Sequence, residues 1–471
     1  MWNRRDKQAE GDRNTEKIST RVARDWTQGS IAGNLWGLAW PMMISGLIEQ
    51  LGPTVDTIWM GKLGQTAVAG VGIAGLAVMT VNAARMGINT GIRAMIARAI
   101  GAKNPEEANL VAQQGLVIST LFAILMAIIG GFFSESILQL LGASEAVVQT
   151  GAAYMRIQLV GSIFMSLGML ANGIMQASGD TVTPMKLIIA SRLLHVVLSP
   201  CLIFGLWIFP RLEVRGAAIS NIVHYALIGA GCGLWILFSG RSRASLKPTM
   251  KGFHFDGKLI WRMMKISIPS SFTGMERNFA SLVIVKFMSP FGTVALAAYT
   301  LLMRIDPFLH MPAMGFGQAA GVLAGQNLGA KQPAQAERAG WIATFIYTGV
   351  MVFSSILVLT IPGPIIRIFN SDADLVALTT VFLRIEIVNY MALGFATVIS
   401  NCLNGCGDTW IPMWTNLISM WAINVPLAWY LSTQTDLGVY GVRWAGAIAI
   451  VMRAIVYSVY WKMGKWKTRV V

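Results

Sequence analysis

Charge is what this sequence has least of. Only 13% of its 471 residues are Asp, Glu, Lys or Arg, where a soluble globular domain carries about 25%. The shortage is concentrated. Leu110 to Phe133, Leu187 to Phe209, Ile342 to Ile366 and Met413 to Thr433 each pass with one charge or none. Each is long enough to cross about 30 Å of hydrocarbon as a helix. The polar face that a soluble amphipathic helix needs is missing, so the solvent around most of the chain is lipid.

Cysteine and histidine are scarce as well. Cys201, Cys232, Cys402 and Cys406 fall within or at the ends of apolar segments, where buried free thiols are expected. Cys402 and Cys406 share a helical spacing, but no histidine or third cysteine stands near to complete a metal site. His195, His224, His254 and His310 lie apart, without HExxH spacing. With no clustered nucleophile, metal set or acid pair, the chain is not expected to be an enzyme or to hold a cofactor. Gly70-Val-Gly-Ile-Ala-Gly75 matches a dinucleotide fingerprint by letter, but it lies in an apolar run with no acidic residue before Glu106. The first thirty residues contain no short apolar core. No cleaved signal peptide is therefore expected, and the first span acts as its own insertion signal.

Acidic residues are outnumbered, 22 against 37 Lys and Arg, for a formal charge of +15. Nucleic-acid binding would explain such an excess, but the distribution argues against it. Basic residues gather at Arg4, Arg5, Lys7, Arg13, Lys17, Arg21 and Arg24, again at Arg241, Arg243, Lys247, Lys251, Lys258, Arg262 and Lys265, and again at Lys462, Lys465, Lys467 and Arg469. Even numbers of spans between these clusters place all three on one side, which the positive-inside rule makes cytoplasmic. The other connections, near Lys62, Ser134 to Glu145, Phe209 to Glu213, Ser289 to Gly292 and Gln434 to Gly438, carry few basic residues.

An internal repeat organises the whole chain. Pro41, Gly64, Ala67 and Ala69 recur as Pro269, Gly292, Ala295 and Ala297, each 228 positions later. The same offset links Gly101-Ala-Lys-Asn-Pro105 to Gly329-Ala-Lys-Gln-Pro333, Arg156-Ile157 to Arg384-Ile385, and Gly179-Asp-Thr181 to Gly407-Asp-Thr409. About six apolar segments fall in each copy. The sequence therefore predicts an all-α polytopic membrane protein with about twelve transmembrane helices in two parallel six-helix repeats. The expected division is a basic cytoplasmic segment over 1–34, an N-lobe over 35–240, a cytoplasmic linker over 241–259, a C-lobe over 260–463 and a cytoplasmic tail over 464–471. Parallel repeats of this kind place a cavity between the lobes near the bilayer midplane.

Ionisable residues inside a span are costly and are functional candidates by default. Asp56 follows Gly52-Pro-Thr-Val55 in the first span, so a titratable carboxylate stands beside a proline kink. It could take up a proton, or share sodium with nearby oxygens. The alternative is a structural ion pair with Arg85 or Arg93. Glu276 holds a comparable place seven residues after Pro269, with Arg277 beside it as a possible neutraliser, and Glu49 is a lesser candidate. Arg304 and Asp306 do not share a helix face and look like separate packing or gating charges. Arg156 and Arg384 recur in both copies, which favours an architectural role. Gly317, Gly321, Gly325 and Gly329 fall every four residues, a smooth face for close helix packing.

Taken together, Pro41 through Gly75 with its Val55-Asp-Thr57, the Gly101-Ala-Lys loop, Gln176-Ala-Ser-Gly-Asp-Thr181, Gly292-Thr-Val-Ala-Leu-Ala-Ala298 and Gly325-Gln-Asn-Leu-Gly-Ala330 resemble the multidrug and toxic compound extrusion family over nearly the whole chain. The resemblance implies two six-helix lobes that alternate access and export lipophilic or cationic small molecules against sodium ions or protons. Asp56 matches the family's first-helix acid and Glu276 its seventh-helix glutamate. Tyr154 and Asn172 match fourth-helix polar positions near the N-lobe cation site. Two departures stand out. His195-Val-Val-Leu-Ser199 replaces the family's Asn-x-x-x-Asp on the fifth helix, and Asn221 replaces a sixth-helix Thr. His195 could then hold or relay a proton, or Ser199 and Asn221 could offer oxygens to sodium. A tenth-helix acid is expected to be absent, since Leu393 and Gly394 occupy that region. A monomer in the cytoplasmic (inner) membrane is expected, contacting membrane lipid and no nucleic acid. The rival is a lipid-linked precursor flippase of related architecture. It would line its cavity with several basic residues, for which only Arg85, Arg93 and Arg304 are candidates.

Overall fold

The computed structural model describes residues 24–367, 369–370 and 372–469, and within them every regular element is helical. The basic residues Arg4 to Arg21 lie outside the described residues. The first repeat runs α1 (Ile31–Leu63), α2 (Gln65–Gly101), α3 (Pro105–Leu140), α4 (Glu145–Val160), α5 (Ser162–Ala177) and α6 (Val182–Phe204). It closes with α7 (Glu213–Phe238), which is π-wound over Tyr225–Cys232. The second runs α8 (Gly257–Met288), α9 (Thr293–Gly329), α10 (Pro333–Thr360), the short α11 (Pro362–Arg367) and α12 (Ala373–Gly405). It ends with α13, residues 410–433 with a π-wound stretch at Ile418–Asn424, and α14 (Val439–Met463).

Eight of these helices are long and apolar enough to cross a membrane alone, and α4 with α5, bent by 46°, makes a ninth. The helices α8, α9 and α13 are counted as spans through the repeat. Moved on by 228, α2 falls on α9 residue for residue, α4 with α5 falls on α12, and α1 and α6 fall on α8 and α13 within three residues. Twelve spans in two parallel six-helix lobes result. Their lipid-facing surface is apolar: Phe132, Leu125, Phe345 and Phe353 stand exposed, as only a protein in hydrocarbon tolerates over so wide an area.

Local chemistry sets the helix ends. Asn104 accepts the Glu107 N–H at 3.1 Å, with Pro105 at the first helical position and two glutamates in the first turn of α3, all favourable at a helix N-terminus. Asp256 and Asp372 cap α8 and α12 in the same way. The repeat extends to strained backbone. Lys103 and Lys331 both sit at positive φ, 55° and 59°, where non-glycine residues are uncommon. The amides that follow close the same turns, Asn104 to Ala99 O and Gln332 to Asn327 O, each at 2.9 Å.

The two lobes exchange the beginnings of their first helices. Leu35, Leu38, Ala39 and Met42 of α1 belong to the hydrophobic core of the second lobe. Leu259, Met263 and Ile266 of α8 belong to a core of the first. Each helix crosses at a repeat-matched proline, Pro41 or Pro269, whose carbonyl accepts a hydroxyl one turn on, from Ser45 at 2.8 Å and from Thr273 at 2.9 Å.

Glycines form the seam between the lobes. A Cβ at Gly87 would overlap the Ser271 backbone, one at Gly101 the Gln326 carbonyl, and one at Gly329 the Arg98 carbonyl. Ser271 Oγ donates to Ala84 O at 2.8 Å, and Gln326 Nε2 to Ala177 O at 2.8 Å. These approaches lie on the half that also carries the Gly-Ala-Lys loops, the linker and the tail. There, Asp180 accepts the Arg243 N–H at 2.7 Å, and Arg98 donates to the carbonyls of Cys406 and Arg469. The expected smooth face on α9 is used in full: Gly317 and Gly321 pack on Asn401, Gly325 on Gly405, and Gly329 on α2. Of the four cysteines, Cys201, Cys402 and Cys406 are buried, but Cys232 is exposed. The apolar run around Cys232 belongs to the π-wound part of α7, whose altered turn presents its Sγ outward.

Candidate functional site

Asp56 lies on the fourth residue past Gly52 of α1 and is 8% exposed. Its carboxylate is met by groups from α6 and α7. Asn221 Nδ2 donates to Oδ2 at 2.8 Å, Ser199 Oγ donates to Oδ1 at 3.4 Å, and His195 Nε2 stands 3.2 Å from Oδ1. Asn221 Nδ2 also donates to the Ala217 carbonyl at 3.2 Å. Both contacts of that nitrogen are to acceptors, which fixes the amide orientation. His195 and Ser199 fall four apart and so share a face of α6.

The orientation of His195 follows from its other nitrogen. Arg192 NH1 stands 3.3 Å from His195 Nδ1, and a guanidinium only donates. Nδ1 is thus placed as an acceptor, and Nε2 is turned toward Asp56 without hydrogen-bond alignment. Asp56 thus accepts hydrogen bonds from Asn221 and Ser199 of its own lobe and faces the His195 ring, and among the described residues no ion pair joins it to Arg85 or Arg93. Arg85 instead donates to Ser166 and Asn82 on its own side of the lobe.

Arg192 is a single charge in an otherwise apolar run, and nothing in its spacing marks it as part of the site. It is 8% exposed, and its guanidinium lies where a side chain at Gly52 would be. The notch left by Gly52 in α1 seats the arginine. On its far side lies a narrow cleft lined by Glu49, Asn172, Leu187, Ile188, Ser191, Arg192, His224, Tyr225 and Gly229. Asn172, expected beside the cation site, lies in this cleft. Tyr154, on α4, is close enough to Asp56 for the carboxylate charge to act on its phenol, and it accepts a hydrogen bond from Gln158 at 3.0 Å. Ser191 Oγ and His224 Nδ1 are 2.7 Å apart, and the rings of His195, His224 and Tyr225 follow one another with centroids 4.8 and 4.4 Å apart.

The second lobe is built differently. Glu276 is approached by Trp421 of α13 and feels the charges of Arg453 and Arg277. The same lobe holds a second group that the sequence did not assemble. Tyr390 donates to Asp306 at 2.7 Å, Arg443 forms an ion pair with Glu386, Asn389 donates to the same carboxylate, and Arg443 lies 5.5 Å over the Tyr299 ring. Glu386 is 4% exposed on α12. The expectation that the tenth span lacks a buried acid is therefore corrected. The acid lies two turns before Leu393, on the face that meets α14. Asp306, taken for a separate packing or gating charge, belongs to this group. Among the described residues, no three His, Cys, Asp or Glu side chains converge in a way that could hold a metal ion.

Two parallel six-span lobes, an intramembrane carboxylate on the first helix of one lobe and a seam of glycines on one side define a membrane transporter of the two-lobe repeat design. The chain belongs to the MatE family: the family model matches residues 41–201 and again 269–430, once in each lobe. Among curated proteins it is 27% identical over 433 residues to the probable multidrug resistance protein YoeA of Bacillus subtilis, covering 90% of this chain and 92% of that one. It is 25% identical to the probable multidrug resistance protein NorM of Thermotoga maritima, covering 92% and 93%. A FAD transporter of Shewanella oneidensis is 24% identical over 84% of this chain and 86% of its own. Among solved structures, an outward-facing multidrug resistance MATE family transporter superposes with a TM-score of 0.87 at 22% identity, over 94% of this chain and 98% of that one.

Proposed function

We propose that this chain is a proton-coupled exporter of small molecules, with the seam and its basic loops on the cytoplasmic side of a bacterial inner membrane. The observation that carries the coupling ion is the set of donors on Asp56. A hard cation takes oxygen ligands, and the groups facing this carboxylate present N–H and O–H instead. Such donors stabilise the ionised carboxylate without a metal. A proton arriving at Asp56 makes one oxygen a donor, and it must then part from Asn221 or Ser199. Pro53, three residues earlier, leaves α1 without one backbone hydrogen bond at that level, so the rearrangement is transmitted as a bend of α1 against α6. Since α1 begins inside the other lobe, that bend acts across the seam. Proton binding from outside thus exchanges for substrate, and proton release inside resets the cycle.

The export direction and the breadth of substrate rest on the kinship with proteins named for multidrug resistance. The test is efflux of a fluorescent cation from proteoliposomes under an imposed pH gradient, a sodium gradient, or both. Export is expected under the pH gradient alone and is unchanged by sodium. Export that needs sodium and ignores pH would overturn the coupling ion, and gradient-independent movement would overturn the exporter itself.

A further inference from the structure

We propose that the small cavity where α2 of the first lobe meets α9 and α12 of the second binds one small inorganic anion of the chloride class, held by Arg93. The coupling scheme above makes no use of this place, and the inference stands without it.

Arg93 lies eight residues before Gly101, the end of α2, so it is about 12 Å in from the side that carries the Gly-Ala-Lys loops. A guanidinium keeps its charge at any working pH, and a charge at membrane depth needs a partner. The other two arginines of α2 have theirs. Arg85 donates to Ser166 and Asn82, and Arg98 donates to the carbonyls of Cys406 and Arg469. Arg93 has no ion pair or hydrogen bond among the described residues. It lines the cavity instead.

The chemistry of the lining suits an anion. Its polar members are Thr90, Arg93, Gln318, Asn401 and Asn404, and no Asp or Glu borders it. Asn401 Nδ2 donates to Thr397 O at 2.8 Å and has a second N–H to give. The side-chain oxygen of Asn404 is buried without a partner, and rotating that amide about its last bond presents its N–H groups there instead. The space has room for a few water molecules. That is enough for a halide and too little for an organic substrate.

The repeat explains how the cavity arose. Moved on by 228, Thr90, Arg93 and Ala97 fall on Gln318, Gly321 and Gly325, so two copies of one helix face each other here. One copy brings the charge, and the other carries glycine and so leaves room for it. Gly321 and Gly405 are in backbone contact, which closes the wall formed by α9 and α12. Since both lobes supply ligands, the site is complete only while the glycine seam is shut. A bound anion therefore favours the shut seam by linkage and leaves when the lobes part.

Thermal unfolding of the purified full-length protein in chloride, bromide or gluconate at matched ionic strength tests the site. Chloride and bromide should raise the midpoint in a saturable way, and gluconate, a much larger anion, should not. Arg93→Gln should remove that response. Should this variant fail to fold, Asn404→Asp still judges the proposal. Its carboxylate supplies the counter-charge from within, so its midpoint should be high without chloride and indifferent to it. In crystals grown with bromide, anomalous scattering should place one ion against the Arg93 guanidinium. Equal midpoints in chloride and gluconate, full chloride response in Arg93→Gln or Asn404→Asp, or bromide bound only elsewhere overturns the proposal. Bromide at Arg93 with no thermal response is an adventitious ion only, and it overturns the proposal as well.

Discussion

The two lobes are copies in backbone and opposites in charge. In the first, Asp56 is buried and accepts hydrogen bonds from Asn221 and Ser199, with no arginine or lysine paired to it among the described residues. In the second, the buried acids Asp306 and Glu386 are held by Arg443 and Tyr390, so their charge is spent within the fold. At repeat-matched positions, Asp56 faces Ile284, His195 faces Ile423, and Glu386 faces Gln158. The comparison teaches that burial alone does not make a carboxylate a working group. What matters is whether its neighbours are donors that tolerate a change of protonation or a fixed cation that forbids it.

That contrast can be broken most directly at its two centres. Asp56→Asn should reduce efflux at least a hundredfold while the thermal midpoint of the detergent-purified protein stays within a few degrees. Arg443→Met should do the reverse kind of damage. It strands two buried acids, at a cost of about 3–5 kcal/mol, and is read as a lowered midpoint; adding Asp306→Asn and Glu386→Gln should recover most of it. If Arg443→Met abolishes transport at unchanged stability, the second lobe is no mere structural charge cluster. Next in size is Gly329→Ala. Its methyl meets the Arg98 carbonyl across the seam, so the inward side should stay partly open, seen as faster labelling of a cysteine placed at Ala97 and efflux lowered several-fold. Asn221→Ala removes a charge-assisted bond of about 1.5–3 kcal/mol, and the pH midpoint of efflux should move up, since the ionised carboxylate loses a donor. Ser199→Ala removes the longer of the two bonds, 3.4 Å, and should change efflux less than threefold.

Much of this was legible in the residues. Lone charges in apolar runs single themselves out, so Asp56 could be found, and the four-residue spacing of His195 and Ser199 already placed both on one face. The repeat offset fixed span number and parallel orientation, and the glycine ladder of α9 announced its packing. Other features were hidden for physical reasons. Arg192 was as conspicuous as Asp56, but its use depends on the Gly52 notch, a steric relation between two helices. The Asp306, Glu386 and Arg443 group draws on α9, α12 and α14, and no spacing within one helix foretells it. Asn172 was expected near the cation site, and it lines the neighbouring cleft together with Arg192.

The exchanged helix beginnings bear on how the chain is made. The core that receives Leu259, Met263 and Ile266 cannot close until the ribosome has passed well beyond α7 and the linker. The segment Leu35 to Met42, inserted first, must wait longer still for the second lobe to enclose it. The nascent first lobe therefore stands in the bilayer with an unfilled groove at its basic end, and neither half is expected to be stable when expressed alone. Synthesised as two separate polypeptides in one cell, the halves should find each other through those same two strips of leucine, methionine and isoleucine.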